Sequence, residues 1–204
     1  MTQDFDYTIL GAGAVGSVFG GLLARAGHKV QLVNRSAETS RAIADKGLRL
    51  ELDQGQVTCN PTAVQPSRAR PARVVMVFTK THQTAAALHS VHGVLGPDTI
   101  FVTLQNGLGN GEAVAQVTGS PHVLTGVTML PATLLAPGHV RSHGSSQSWI
   151  GPMHAADMPL AKAVADDLQQ AGFDMVLTED VAARIWQKAC FNVALNGICA
   201  LTLG

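Results

Sequence analysis

The sequence predicts an α/β protein built on a doubly wound, mostly parallel sheet, and two observations predict it. A β-prone run, Tyr7-Thr8-Ile9-Leu10, leads into Gly11-Ala12-Gly13-Ala14-Val15-Gly16 and then into an apolar helical pattern through Val18, Phe19, Leu22, Leu23 and Ala26. Strand, glycine turn and helix in that order give the G-x-G-x-x-G pattern a physical meaning. Two later runs, Val74–Phe78 and Ile100–Leu104, are continuously apolar, as strands buried on both faces of a parallel sheet are.

In the first unit Gly11 allows the tight turn, Gly13 lets a pyrophosphate approach the backbone, and Gly16 lets the helix pack closely on the strand. The helix N-terminus offers unpaired N–H groups and the positive end of its dipole. This is a Rossmann-like reading, with Gly11, Ala12, Gly13, Ala14, Val15 and Gly16 as cofactor-binding residues. Gly27 stops the helix, and a second strand follows at 28–33. At its end an acid would bind the free ribose hydroxyls of NAD, whereas an Arg accommodates the extra phosphate of NADP. The chain has Asn34-Arg35-Ser36 there and no acid before Glu38. Arg35 therefore favours NADP.

Residues 37–46 read as a helix stopped by Gly47. Leu48–Leu52 alternates, and Asp53-Gln54-Gly55 turns it into a hairpin with 56–59. Residues 61–71 form a basic, Pro-containing connection. A helix is expected over 83–95, and 123–130 is another apolar strand. Residues 133–151 read as edge strands and loops, with strand patterns at 139–141 and 149–150. A helix at 160–171 ends at Gly172, and a short strand follows at 174–177. Thr178-Glu179-Asp180 then opens the last helix, its acids suited to the dipole.

Ligands in open parallel sheets bind beyond the carboxyl ends of the strands. Lys80, after the strand ending in Thr79, and Asn106, after the strand ending in Leu104, thus face the same crevice as the glycine turn. A cation and an amide there can hold the cofactor's ribose and nicotinamide. Read blandly, Asn106-Gly107 is a turn and Lys80 a solvated side chain.

The last helix carries the second informative pattern. Lys188, Asn192 and Asn196 lie four residues apart on one polar stripe. Around them are Ile185, Trp186, Phe191, Val193, Leu195, Ile198 and Leu201. A helix apolar on nearly every side is expected to be buried, and its polar groups then need partners or a ligand. Facing a nicotinamide, Lys188 would stabilise negative charge growing on a ketone oxygen and deliver the proton. Burial lowers a lysine pKa towards the operating pH. Asn192 and Asn196 would position a small polar substrate.

Composition narrows the function classes. The 204 residues carry 14 basic and 14 acidic side chains, which argues against nucleic acid or an anionic membrane as partner. No apolar run approaches a membrane span, and the start of the chain is unlike a signal peptide. Three cysteines without paired ligand spacing point to reduced thiols in a cytoplasm. The eight His form no metal-binding cluster, so no metal is assigned.

Together the glycine turn, Arg35, Thr79-Lys80, Gln105-Asn106-Gly107 and Trp186-x-Lys188-x-x-x-Asn192-x-x-x-Asn196 resemble the ketopantoate reductase (2-dehydropantoate 2-reductase) family. The resemblance implies NADPH-dependent reduction of ketopantoate to pantoate, for pantothenate and coenzyme A synthesis. Lys188 would be proton donor, Asn192 and Asn196 substrate contacts, and Lys80, Asn106 and Ala132 cofactor contacts. Arg35 would take the adenosine 2′-phosphate. It also implies an NADP-binding domain over 1–178 and, over 179–204, the first helix of an all-helical domain whose remainder this chain lacks. The apolar helix is expected to find cover as a homo-oligomer, a dimer being the simplest. A nucleotide-binding module without catalysis, and another hydroxyacid dehydrogenase on the same layout, remain alternatives.

Overall fold

The computed structural model describes residues 4–144 and 146–202. The chain runs β1 (Phe5–Leu10), α1 (Ala14–Arg25), β2 (Val30–Val33), α2 (Ala37–Lys46), β3 (Leu48–Leu52), β4 (Gly55–Cys59) and β5 (Thr62–Val64). It continues with β6 (Ala72–Val77), α3 (Thr84–Ser90), β7 (Ile100–Thr103), α4 (Asn110–Thr118) and β8 (Val123–Thr128). The last third holds β9 (Thr133–Ala136), β10 (His139–Arg141), β11 (Ser148–Pro152), α5 (Met158–Gln170), β12 (Met175–Leu177) and α6 (Val181–Thr202).

The main sheet has the order β12-β11-β8-β7-β6-β1-β2-β5. From β8 to β5 every pairing is parallel. Only β11 runs against its neighbour β8. The chain moves outward from β1 through β2 to β5, then returns to β6 on the other side of β1. That reversal is the point at which open α/β sheets bind their ligands.

Side-chain alternation sorts the core into two layers. Ile9, Val74, Met76 and Val102 point to one face, with α1 and α5; Leu10, Val75, Val77 and Phe101 point to the other, with α3 and α4. On the α1 side Phe19 stacks on Phe173 at 4.2 Å between ring centroids. A second sheet, β4-β3-β10-β9, covers α1 from outside. Its Leu48, Leu50 and Val140 join the same core as Ile9. Helix α1 is thus held between two sheets.

Several sequence expectations need correction. The expected helix over 83–95 is broken at Val91, with 3₁₀ turns at Thr81–Gln83 and His92–Val94 flanking a short α3; Ser90 and Gly93 near the break are poor helix formers. The connection 61–71 contains β5, a three-residue edge strand between Pro61 and Pro66 that pairs with β2. Helix α4 had no counterpart in the sequence reading, because its start, Gly107-Leu108-Gly109-Asn110-Gly111, reads as loop. Gly111 is there for contact: a Cβ on it would lie 2.3 Å from Thr125 Cγ2. Strand β11, expected among the edge strands, lies between β8 and β12.

The largest correction concerns α6. Val181, Ile185, Lys188, Ala189 and Asn192 form its inner stripe, at least partly buried, while Trp186, Phe191, Val193 and Leu195 are exposed. One helix laid on a sheet buries one stripe, whatever its composition, and no other described element covers the far side.

At the end of the sheet away from the glycine turn, the Tyr7 hydroxyl donates to Asp167 Oδ2 at 2.6 Å and Arg73 donates to the same oxygen at 2.6 Å. The Arg73 guanidinium also sits 5.6 Å from the Tyr7 ring centroid. Burial, together with the bond to Asp167, raises the Tyr7 pKa above the ordinary phenol range. The cluster ties α5 to β1 and β6. Replacing Asp167 by Ala orphans a buried hydroxyl and should lower the unfolding free energy by about 2 kcal/mol, read as a lower midpoint in urea at unchanged slope.

Candidate active site

The strand ends at the chain reversal are level. Leu10 pairs with both Val33 and Val77, and Val77 with Thr103. Gly11 is therefore one residue past its strand, Arg35 two past Val33, and Lys80 and Asn106 each three past a paired residue. Main-chain bonds fix the junction: Gly11 N–H donates to Val33 O at 3.1 Å and Phe78 N–H to Leu10 O at 2.9 Å.

The glycines of the first turn do different work. Gly11 has φ +100° and a Cβ on it would lie 2.7 Å from Thr79 N, so both its conformation and its neighbour exclude a side chain. A Cβ on Gly16 would fall 2.4 Å from Gly11 O and 3.1 Å from Ile9 Cγ2. Gly13 differs, with nothing within 4 Å of its Cβ position. It is exposed, its backbone is extended, and it caps α1 with no side-chain bond. The N-terminus of α1 therefore opens on space that a ligand's phosphates can reach along the backbone.

That space is a cleft of about 1230 Å³. It is lined by Gly11, Ala12, Gly13, Ala14, Val15, Gly16, Arg35, Lys80, Asn106, Ala132 and Lys188. Ten of these are the residues the sequence assigned to a cofactor and the eleventh is the lysine it expected as proton donor; the fold brings them to one cavity. Arg35, Lys80 and Lys188 are the Lys and Arg side chains of the lining, and no Asp or Glu belongs to it among the described residues. A polyanion is the ligand such a field attracts.

Around Arg35 the loop is built by short side chains. Ser36 N–H donates to Asn34 Oδ1 at 2.8 Å, and Thr39 N–H to Ser36 Oγ at 3.1 Å, which caps α2. The guanidinium itself is left exposed at the cleft. Ala132 reaches the cavity because Ser142 Oγ donates to Pro131 O at 2.7 Å, holding the β8–β9 link.

Lys188 meets the cleft from α6. Its ammonium donates to the main-chain oxygen of Thr128 at the end of β8. Thr128 Oγ1 in turn accepts from Ser148 Oγ at 2.8 Å and from Leu130 N–H at 3.1 Å. Burial lowers the Lys188 pKa below the ordinary lysine value. Asn192, one turn on, is half-buried outside the lining, and the side chain of Asn196 lies outside the described residues. Thr128 and His82, which the sequence did not single out, also line the cleft, as does Gln105, which the sequence named only as part of the Gln105-Asn106-Gly107 motif and gave no role. The one signal available for Gln105 was its place directly before Asn106 at a strand end.

Among the described residues no group of three or more His, Cys, Asp and Glu side chains is placed to hold a metal ion, and no helix is long and apolar enough to cross a membrane.

A family profile described as ketopantoate reductase PanE/ApbA matches residues 7–155. The chain belongs to this family. It is 34% identical over 194 residues to the 2-dehydropantoate 2-reductase of Pyrococcus horikoshii, an alignment covering 95% of this chain and 62% of that protein. It is 30% identical over 193 residues to the enzyme of that name from Streptococcus pyogenes serotype M3, covering 95% and 63%. The chain thus spans less than two thirds of the length of these curated relatives. Among solved structures, 2-dehydropantoate 2-reductase from Geobacter metallireducens GS-15 superposes with TM-score 0.88 at 31% identity, covering 97% of this chain and 66% of that one. A D-mandelate dehydrogenase with NADH and anilino(oxo)acetate gives 0.89 at 29% identity, covering 95% and 63%.

The different surroundings of Gly16 and Gly13 separate packing from ligand access. Gly16→Ala should lower the urea unfolding free energy by at least ~2 kcal/mol, because the added carbon meets rigid backbone. Gly13→Ala should cost less than about 1 kcal/mol, the loss of a favourable cap residue alone.

Proposed function

We propose that the cleft binds NADPH and that this chain carries the catalytic lysine of a 2-oxoacid reduction, with ketopantoate (2-dehydropantoate) as substrate and pantoate as product. The observation that carries this reading is the half-buried Lys188 opening on the same cavity as the glycine turn. The fit of the cofactor rests on the open Gly13 cradle, the uncapped start of α1 and the lining of cations without acids. The division of the chain into an NADP-binding domain over 1–178 and the start of a helical domain over 179–204 belongs to the same reading.

Gly11 to Gly16 would hold the pyrophosphate through backbone N–H groups, and Arg35 the adenosine 2′-phosphate through its guanidinium. Lys80 and Asn106 would hold the nicotinamide half, with Ala132 against it. When bound, the dihydronicotinamide supplies the hydride for the carbonyl carbon. Lys188, anchored on Thr128 O, directs its ammonium at the carbonyl oxygen, stabilises the charge that grows there and releases the proton that completes the alcohol. Its depressed pKa makes that release easier than from a solvated lysine. Asn192 and Asn196 would position the substrate carboxylate and hydroxyl.

Lys188→Ala should lower reduction of ketopantoate by about 10²–10⁴-fold, followed at the nicotinamide absorbance band, with NADPH affinity retained. Because the protonated amine is the donor, kcat/KM should fall as pH rises through the lowered lysine pKa, at a pH below the ordinary lysine value of about 10.4. Arg35→Gln should weaken NADPH by roughly tenfold or more while sparing NADH. The likeness to a D-mandelate dehydrogenase with NADH supports a second reading, an aromatic 2-oxoacid reduced with NADH. A panel of 2-oxoacids with both cofactors decides between the two. Binding of NADPH without turnover on any of them marks a binding module instead.

The exposed Trp186, Phe191, Val193 and Leu195 support self-association through α6. Light scattering at micromolar concentration should show a species of at least twice the chain mass, and Phe191→Glu should return it to monomer.

A further inference from the structure

The nicotinamide half of the cleft depends on two loops from different strands. Lys80 leaves β6 and Asn106 leaves β7, and both side chains are exposed. No hydrogen bond links Lys80 to Asn106 among the described residues. One side chain spans the gap between their loops. Gln105 Nε2 donates to Thr79 O at 2.6 Å, beside Lys80, and to Thr84 Oγ1 at 2.9 Å, at the start of α3. Its Oε1 accepts from Thr103 Oγ1 at 3.0 Å, at the end of β7. Thr103 and Thr84 are buried, and Gln105 itself lines the cleft.

Each end of the amide is thus engaged with a different segment, and each segment leads directly into a residue assigned to the cofactor. On the β7 side the next turn is fixed as well: Asn110 Nδ2 donates to Asn106 O at 3.1 Å and to Gly107 O at 3.2 Å. With that turn held by Asn110, the Gln105 amide is the side-chain link that ties the two loops together.

We infer that Gln105 is a positioning residue for the nicotinamide half of the dinucleotide, clamping the Lys80 loop to the Asn106 loop at the separation that half requires. The inference rests on the proposed reading of the cleft as an NADPH site. It assigns Gln105 no contact with the reacting atoms. Gln105→Met fills nearly the same volume and removes every bond of the clamp, so a loss on that change is a loss of tethering and not of packing. Thr84→Val removes a single arm and keeps the branched shape.

The test compares two ligands by titration calorimetry. NADPH engages the whole cleft; adenosine 2′,5′-bisphosphate carries the adenosine half alone and should ignore the clamp. Gln105→Met is expected to weaken NADPH about tenfold, the weight of the lost hydrogen bonds, while adenosine 2′,5′-bisphosphate changes less than twofold. Thr84→Val should weaken NADPH about threefold with the same selectivity, and it carries the test should Gln105→Met not fold. A parallel loss of both ligands, or no loss of either, overturns the inference and leaves the cleft reading intact. Failure of the unmodified chain to bind NADPH overturns the cleft reading first, and this inference with it.

Discussion

The seat of α1 is the constraint on which the rest of the structure depends. Backbone meets backbone there: Gly16 against the carbonyl of Gly11, and Gly11 against the main chain of Thr79. Further along the helix, Gly20 approaches Leu32 and Gly21 approaches Leu48 and Leu50 closely enough to leave no room for a Cβ. The four glycines let α1 sink between the two sheets. The helix thereby brings its uncapped N-terminus to the level where β1, β2 and β6 end. A helix held one side-chain layer further out would leave the glycine turn away from those strand ends, and the cleft would lose its floor.

Charge follows from the same geometry. Arg35, Lys80 and Lys188 come from the end of β2, the end of β6 and a helix more than a hundred residues later, yet they share one cavity that no Asp or Glu lines among the described residues. Arg35 projects from a loop stiffened by Asn34 and Ser36, and Lys188 is anchored to the carbonyl of a buried strand end. The carboxylates Asp167, Glu51 and Asp53 are paired elsewhere, with Arg73, with Arg141 and His139, and with His143. Attraction for anions is therefore concentrated where the backbone is also open.

Helix α6 shows how location overrides composition. Its sequence is apolar on most sides, yet among the residues whose burial is described the covered ones form a single stripe from Val181 to Asn192. The covered stripe is the one that holds Lys188, and partial burial is what lowers that amine's pKa. A fully solvated lysine would stay strongly basic, and a fully buried one would lose its proton and with it the means to donate.

The sequence by itself determined the frame: the strand–glycine–helix unit, the continuous apolar strands, the alternating hairpin at 48–59, and a set of strand-end residues that all reach one cleft. These were legible because each is a local periodicity or a turn whose chemistry is read within a few residues. It also matched the chain to its family through motifs that survive as spacing. Only the tertiary structure decided the rest. Helix α4 and strand β5 exist because Thr125 and β2 receive them, against local signals of Gly and Pro. The exposed side of α6 follows from which neighbours reach it, and the bridging role of Gln105 from Thr79 and Thr84, both remote from it in the chain. Contacts between remote segments leave no period in a sequence, so long-range packing alone assigns them.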